Sequence, residues 1–353
     1  MSLMPRDFGQ GHLSELIAHI PPLDEHALVA SRQRQDLLTK PPGSLGRLER
    51  LATQLAGITG SARPRLPRKA VIVMAADHGV AREGVSAYPP QVTAQMVRNF
   101  ANGGAAINVL ARQAGARVIV VDIGVASELP LSLPILHRKV AFGTQNLAEG
   151  PAMTQEQALA AIGVGAEVLS SEANRGLDVV CLGEMGIGNT TAASAIVASI
   201  TGLSVSEVTG RGTGIDAATW MRKLAVIERA IELQQPDPAL PLDVLAKVGG
   251  FEIAGLVGVT LAAASRRIAV VVDGFIATAA ALVAVELCPR VRSFLPVNSA
   301  ILGQARESQT SSSLGWSDER VNHFVIQGCA QSVATSNGTS FRHDPSRGFP
   351  RDG

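Results

Sequence analysis

The sequence predicts an α/β fold, a mostly parallel twisted sheet with helices on both faces, and three observations predict it. Four short apolar runs, Ala70–Ala76, Arg117–Asp122, Val179–Leu182 and Ala269–Asp273, alternate with segments of helical periodicity, the pattern of βαβ units. Each run leads into polar residues and glycine: Asp77-His78-Gly79, Asp122-Ile123-Gly124, Gly183-Glu184-Met185-Gly186 and Asp273-Gly274. In a parallel sheet these four ends gather at the carboxyl edge, where open α/β sheets hold ligands. The chain is 46% apolar but only 3% aromatic, with 35 glycines, so its core must be aliphatic strands and closely packed small-residue helices.

Taken in order, residues 1–35 place His12, Leu13, Leu16, Ile17 and Ile20 on one helical face, and Pro21-Pro22 ends that helix. Asp24–Leu38 reads as a second helix. Lys40-Pro41-Pro42-Gly43-Ser44-Leu45-Gly46 is a rigid turn, and Ser44 can begin a helix that reaches about Ile58. Past the first strand, Tyr88-Pro89-Pro90 introduces a helical segment, Gln91–Gln113, broken at Gly103-Gly104. Residues 128–150 read as a loop. Thr154–Glu172 is a helix capped by Thr154, with Gln157 in the reciprocal capping position. Helices follow over Ala192–Ile200, Asp216–Leu233 and Leu242–Val248, and Gly249–Gly255 turns into another. From about Arg292 the character changes: residues 303–320 are crowded with Ser, Gln, Arg and Glu, and residues 327–353 lack sustained periodicity.

At 353 residues there is room for one large domain and a smaller one. A net charge of +1, with no basic run interleaved with aromatics, disfavours nucleic acid as a partner. Cys181, Cys288 and Cys329 fit neither a disulfide framework nor a Cys-x-x-Cys zinc site, so no metal is expected. The first residues lack the pattern of a signal peptide, and apolar runs such as Ala277–Val285 are too short for a bilayer. A cytoplasmic protein without a membrane partner is the expectation.

The stretch Val179–Thr191 concentrates the chemistry. A buried strand ends at Glu184, glycines 186 and 188 follow, and Asn189-Thr190-Thr191 opens an Ala-rich helix. Strand, glycine turn and helix start make an anion site, because free amides and the positive end of the helix dipole point the same way. Glu184 stands at its lip, where its charge would repel a phosphate unless it serves another part of the ligand. Gly210-Arg211-Gly212-Thr213-Gly214 adds a second glycine-rich loop, and Lys223 lies in the helix after it. No Gly-x-x-x-x-Gly-Lys-Ser/Thr and no Gly-x-Gly-x-x-Gly in strand register is present, so NTPase and dinucleotide-dependent oxidoreductase readings lose support. What remains is a site for one phosphate and something flat beside carboxylates. Ordinary structural roles stay open for three residues: a core His78 bonded to Asp77, a solvated Lys223 and a surface amide at Gln95.

With Pro41-Pro42-Gly43-Ser44-Leu45-Gly46, Ala75-Ala76-Asp77-His78-Gly79-Val80, Gly183–Thr191, Val244–Glu252 and Asp273-Gly274-Phe275 in this order, the chain resembles the nicotinate-nucleotide:5,6-dimethylbenzimidazole phosphoribosyltransferase family over roughly residues 35–290. The resemblance implies a Rossmann-like sheet, a small helical domain formed by the two chain termini, and a homodimer. Residues 1–60 would supply the N-terminal part of that small domain, residues 61–292 the catalytic domain, and residues 293–353 an atypical tail. It implies transfer of the ribose phosphate of nicotinate mononucleotide to a benzimidazole, with neither cofactor nor metal. Glu184 then matches the family's first active-site glutamate. Met185, Gly186, Ile187, Gly188, Asn189 and Thr190 match its nucleotide-phosphate region. Gly210, Gly212, Gly214 and Lys223 match the second phosphate side, and Tyr88 and Gln95 lie in the segment that holds the benzimidazole. Asp77, His78 and Asp273 complete the candidate substrate-binding set.

The family pattern continues with Ser-Ala-Glu and Leu-Gly-Glu-Gly-Ser-Gly elements, the second carrying its general base, and neither stands in this chain. Family spacing places Gln327-Gly328 near that base, and Glu319 is the nearest acid. A shifted reading frame or an unrelated tail after about residue 293 explains both this gap and the change in composition. The alternative function is accordingly a catalytically impaired nucleotide-binding homologue.

Overall fold

The computed structural model describes residues 8–296. Three helices come first: α1 (Gln10–Ala18), α2 (Glu25–Asp36) and α3 (Arg47–Thr59). Asp24 caps α2 by accepting from the Ala27 amide at 2.9 Å. Ser44 does not start α3, contrary to its sequence context. It is held inside the Pro41–Gly46 turns, donating its amide to Pro41, and the helix begins after Gly46. Glu49 closes that corner instead, accepting from the Leu45 amide at 3.1 Å and from Lys40 at 2.8 Å.

The remaining elements are β1 (Lys69–Ala76), α4 (Gln91–Ala101), α5 (Ala106–Ala114), β2 (Ala116–Gly124), β3 (Leu136–His137), α6 (Gln155–Asn174) and β4 (Val179–Met185). After them come α7 (Asn189–Thr201), α8 (Val205–Val208), α9 (Ala217–Gln234), α10 (Pro241–Val248), α11 (Phe251–Ser265), β5 (Ala269–Val271) and α12 (Phe275–Leu287). The sheet runs β3-β2-β1-β4-β5 and every pairing in it is parallel. Four strands are those expected. The fifth, β3, lies inside the 128–150 segment read as a loop, because two residues are too few to show a period.

Alternation along the strands sends Ile72, Met74, Val121, Ile123, Val180 and Leu182 to one face, against α11. Val71, Val73, Ala75 and Val120 go to the other, under α4 and α5. Helix α11 is buried from Phe251 to Ala264 without interruption, so it is a core element with no solvent stripe. It lies on α6 almost backbone to backbone. A Cβ at Gly165 would stand 1.9 Å from the Gly255 carbonyl oxygen, and one at Gly258 would stand 1.9 Å from that of Ile162. Only glycine permits this approach.

At the other end of the described chain, Gln54 of α3 donates to the Ser293 carbonyl at 2.9 Å. The C-terminal share of the expected small domain, and Gln327, Gly328 and Glu319 with it, lies outside the described residues. Among the described residues no helix is long and apolar enough to cross a membrane.

Candidate active site

β1 pairs with β2 on one side and β4 on the other, so the chain reverses its direction of winding between β1 and β4. Their carboxyl ends form the switch point at which doubly wound sheets open a crevice. The residues singled out in the sequence converge there. Glu184, the penultimate residue of β4, lies on the α11 side of the sheet and is half-buried. Asn189, first residue of α7, donates its side-chain amide to Glu184 Oε2. The next residue, Thr190, accepts from Lys223 Nζ at 2.7 Å. Between them the turn is pinned by Thr93 of α4, whose hydroxyl accepts from the Ile187 amide at 3.1 Å.

Beneath the turn lies a second layer. His78 Nε2 is 2.7 Å from Glu252 Oε1, and neither side chain retains any exposed surface. Glycines clamp the imidazole edge: a Cβ at Gly186 would lie 3.2 Å from His78 Cδ2, and one at Gly250 would lie 2.3 Å from Cε1. Asp77 is also buried, and its Oδ2 accepts from the Ala126 amide at 2.8 Å. His78 Nδ1, Glu252 Oε2 and Asp77 Oδ1 have no hydrogen-bond partner among the described residues.

Electrostatics follow from this layering. Burial pushes the Glu184 carboxyl up to about 7, and the Glu252 charge adds to the rise, while Asn189 and His78 pull the other way. Burial opposes charge on His78, yet the Glu252 charge and hydrogen bond, with smaller help from Asp77 and Glu184, raise its pKa above the ordinary value. Lys223 is 1% exposed and has no carboxylate within salt-bridge reach among the described residues, so burial lowers its pKa to about 8. A buried ammonium without a counter-ion among the described residues, beside a glycine loop and a helix start, is an arrangement that can hold an anion. Gly212 belongs to the same end, since its ideal Cβ lies 3.4 Å from Lys223 Nζ and 3.2 Å from Thr190 Oγ1.

The structure therefore joins Glu184, Met185–Thr190, Gly212 and Lys223 in one wall, with Gly210 and Gly214 flanking it in the same loop. It removes the solvated-helix alternative for Lys223. His78 lies under the wall and takes Glu252, in place of Asp77, as its partner. Tyr88 is 54% exposed and Gln95 is exposed on α4, while the buried face of that helix is presented by Thr93 and Val97. The Tyr88 segment still reaches the second loop, because the Ala87 amide donates to Thr213 Oγ1 at 3.2 Å. Asp273 is exposed beyond β5 and raises the pKa of Cys181, second in effect to that thiol's burial. Asp273 is not among the groups that shift the Glu184 carboxyl. Asp122 is likewise diverted, paired with Lys139 at 2.9 Å.

Sequence reasoning gave no role to Glu252 or Thr93. For Glu252 a signal exists: it is the only charge in the apolar run from Phe251 to Ser265. Thr93 has none.

Comparison with known proteins adds an independent line. A family model described as phosphoribosyltransferase matches residues 20–308, running past the change of composition near Arg292. A protein of Chloroflexus aggregans named nicotinate-nucleotide–dimethylbenzimidazole phosphoribosyltransferase is 60% identical over 283 residues, 80% of this chain and 80% of its own. A protein of the same name from a Roseiflexus species matches to the same extent. The crystal structure of the enzyme so named from Thermus thermophilus is 45% identical and has a TM-score of 0.73, covering 77% of this chain and 81% of that one. A second structure from the same organism gives 43% identity and a TM-score of 0.75, covering 82% and 88%.

Proposed function

The chain belongs to the phosphoribosyltransferase family, and from that premise we propose that it moves the 5-phosphoribosyl group of nicotinate mononucleotide onto 5,6-dimethylbenzimidazole. The products are α-ribazole 5′-phosphate and nicotinate, in assembly of the cobalamin nucleotide loop. The observation that carries the reading is the division of labour at the start of α7. Asn189 holds the acidic end of the site through Glu184, while adjacent Thr190 holds the cationic end through Lys223. A phosphate fits the second, and the positive ring nitrogen of the nucleotide fits the first.

The chemistry suits such a site. The pyridinium leaves with the C1′–N bonding pair and becomes neutral at nitrogen, so no acid is needed to expel it. The azole nitrogen forms the new bond from the opposite face, which converts the β-nucleotide to the α product. Holding both reactants in line supplies much of the rate. The azole N–H proton passes to a carboxylate. Among the described residues Glu184 is the half-buried carboxylate beside the α7 start, since Asp77 and Glu252 are buried beneath it.

Formation of α-ribazole 5′-phosphate from the two substrates tests the reading, and binding of nicotinate mononucleotide without product would favour the impaired homologue. Relatives 52–60% identical that carry the enzyme's name give that alternative no support. The finer parts of the reading are a cytoplasmic homodimer and a small helical domain whose N-terminal part is residues 1–60, beside a catalytic domain of residues 61–292 and an atypical tail of residues 293–353. Exposed Val109 and Leu110 on α5 support self-association, and light scattering of the purified chain tests it. For the tail, sequencing the coding DNA around codon 293 tests the shifted frame.

A further inference from the structure

Four titratable side chains from three elements share the space under the phosphate turn: Asp77 and His78 after β1, Glu184 on β4 and Glu252 on α11. One imidazole faces three carboxylates. With all four ionised the cluster would carry two net negative charges, three of its members having almost no access to water. Neighbouring ions do not relieve it. Lys223 is turned to Thr190, and Lys139 is committed to Asp122. The His78–Glu252 pair cannot swing away, because Gly186 and Gly250 hold the ring edge on. Removing charge from such a cluster requires a proton, and Glu184 is the half-buried member that can exchange it with solvent.

Resting on the function proposed above, we propose that docking of the pyridinium nucleotide is proton-linked: Glu184 is held as a carboxylic acid by its burial beside the Glu252 carboxylate and releases its proton to solvent when the cationic ring nitrogen arrives. The O–H bond breaks, its electron pair stays on the carboxylate, and the proton goes to buffer. Transfer then returns the azole N–H proton to the same carboxylate. One turnover thus releases one proton net, as the overall reaction requires, and it leaves at binding, before the chemistry.

The test is calorimetry of the full chain at pH 7 with nicotinate mononucleotide, in two buffers of different ionisation enthalpy. Ribose 5-phosphate, which fills the Lys223 end but has no ring, is the control. With Glu184 titrating at about 7, the nucleotide should release about half a proton more than ribose 5-phosphate. The excess should vanish in Glu184→Gln. In the native chain, nucleotide affinity should also fall about tenfold per pH unit well below 7, and ribose 5-phosphate affinity should not follow it. That comparison stands even if the variant does not fold. Equal proton counts for the two ligands, or an excess that survives Glu184→Gln, overturns the linkage and leaves the function standing. Failure of the nucleotide to bind at any pH overturns the function and the linkage with it.

Discussion

Replacing Lys223 with methionine separates the cost of a buried charge from its use. Burial lowers the ammonium pKa from 10.5 to about 8, which at ~1.4 kcal/mol per unit is a penalty of ~3 kcal/mol in the ligand-free protein at neutral pH. The unfolded chain holds that proton more tightly than the folded one. The penalty is therefore full below about pH 8 and is relieved as pH rises toward 10.5. Methionine removes it while filling similar volume, at the loss of the bond to Thr190, worth ~1–2 kcal/mol. At ~2 °C per kcal/mol, the ligand-free variant should unfold at pH 7 ~2–4 °C above the native temperature. With ligand the order reverses. Ribose 5-phosphate at a hundred times its Kd should stabilise the native chain by ~2.7 kcal/mol, about 5 °C, and the variant by almost nothing. Thermal scans with and without ligand read both effects. A variant that loses more than ~2 kcal/mol without ligand, or keeps the full ligand shift, would falsify the anion-site assignment.

Three further outcomes are expected. Glu184→Gln should lower the rate of α-ribazole 5′-phosphate formation by ~10²–10⁴, with the nucleotide still bound, and unchanged turnover would remove Glu184 from the chemistry. The pH profile of kcat/KM should be bell-shaped, rising through about 7 as Glu184 loses its proton and falling past about 8 as Lys223 loses its own; a flat profile from pH 6 to 9 contradicts both assignments. Gly165→Ala should cost at least ~3 kcal/mol, because its Cβ meets a backbone oxygen that cannot yield, whereas Gly150→Ala, with nothing within 4 Å, should stay within ~0.5 kcal/mol. Equal unfolding temperatures for those two variants would refute the close-contact account.

The strands and their edge were legible because a parallel sheet buries both faces and leaves short apolar runs ending in polar residues, as at Val179–Glu184. The phosphate side was legible for the same local reason, since glycines 186 and 188 and Asn189 are neighbours in sequence and in space. What lay beyond reach depends on long-range packing. Glu252 meets His78 across 174 residues, and Thr93 meets Ile187 across 94, so neither pairing leaves a local pattern. Gln95 and Asp273 were drawn in by neighbourhood in sequence, and both side chains are exposed, so no packing contact fixes their direction.

The seam between α6 and α11 bears on how the site tolerates mutational drift. Glu252 sits one residue inside the start of α11, so its position is set by wherever that helix is seated. At Gly165 and Gly258 the seat is main chain against main chain, and main-chain dimensions are the same in every sequence. Exchanges among aliphatic residues elsewhere on α11 change packing volume without changing that reference distance. The acid layer is in this sense gauged from the peptide backbone, and a single added methyl group in the seam between the two helices is enough to throw it out of alignment.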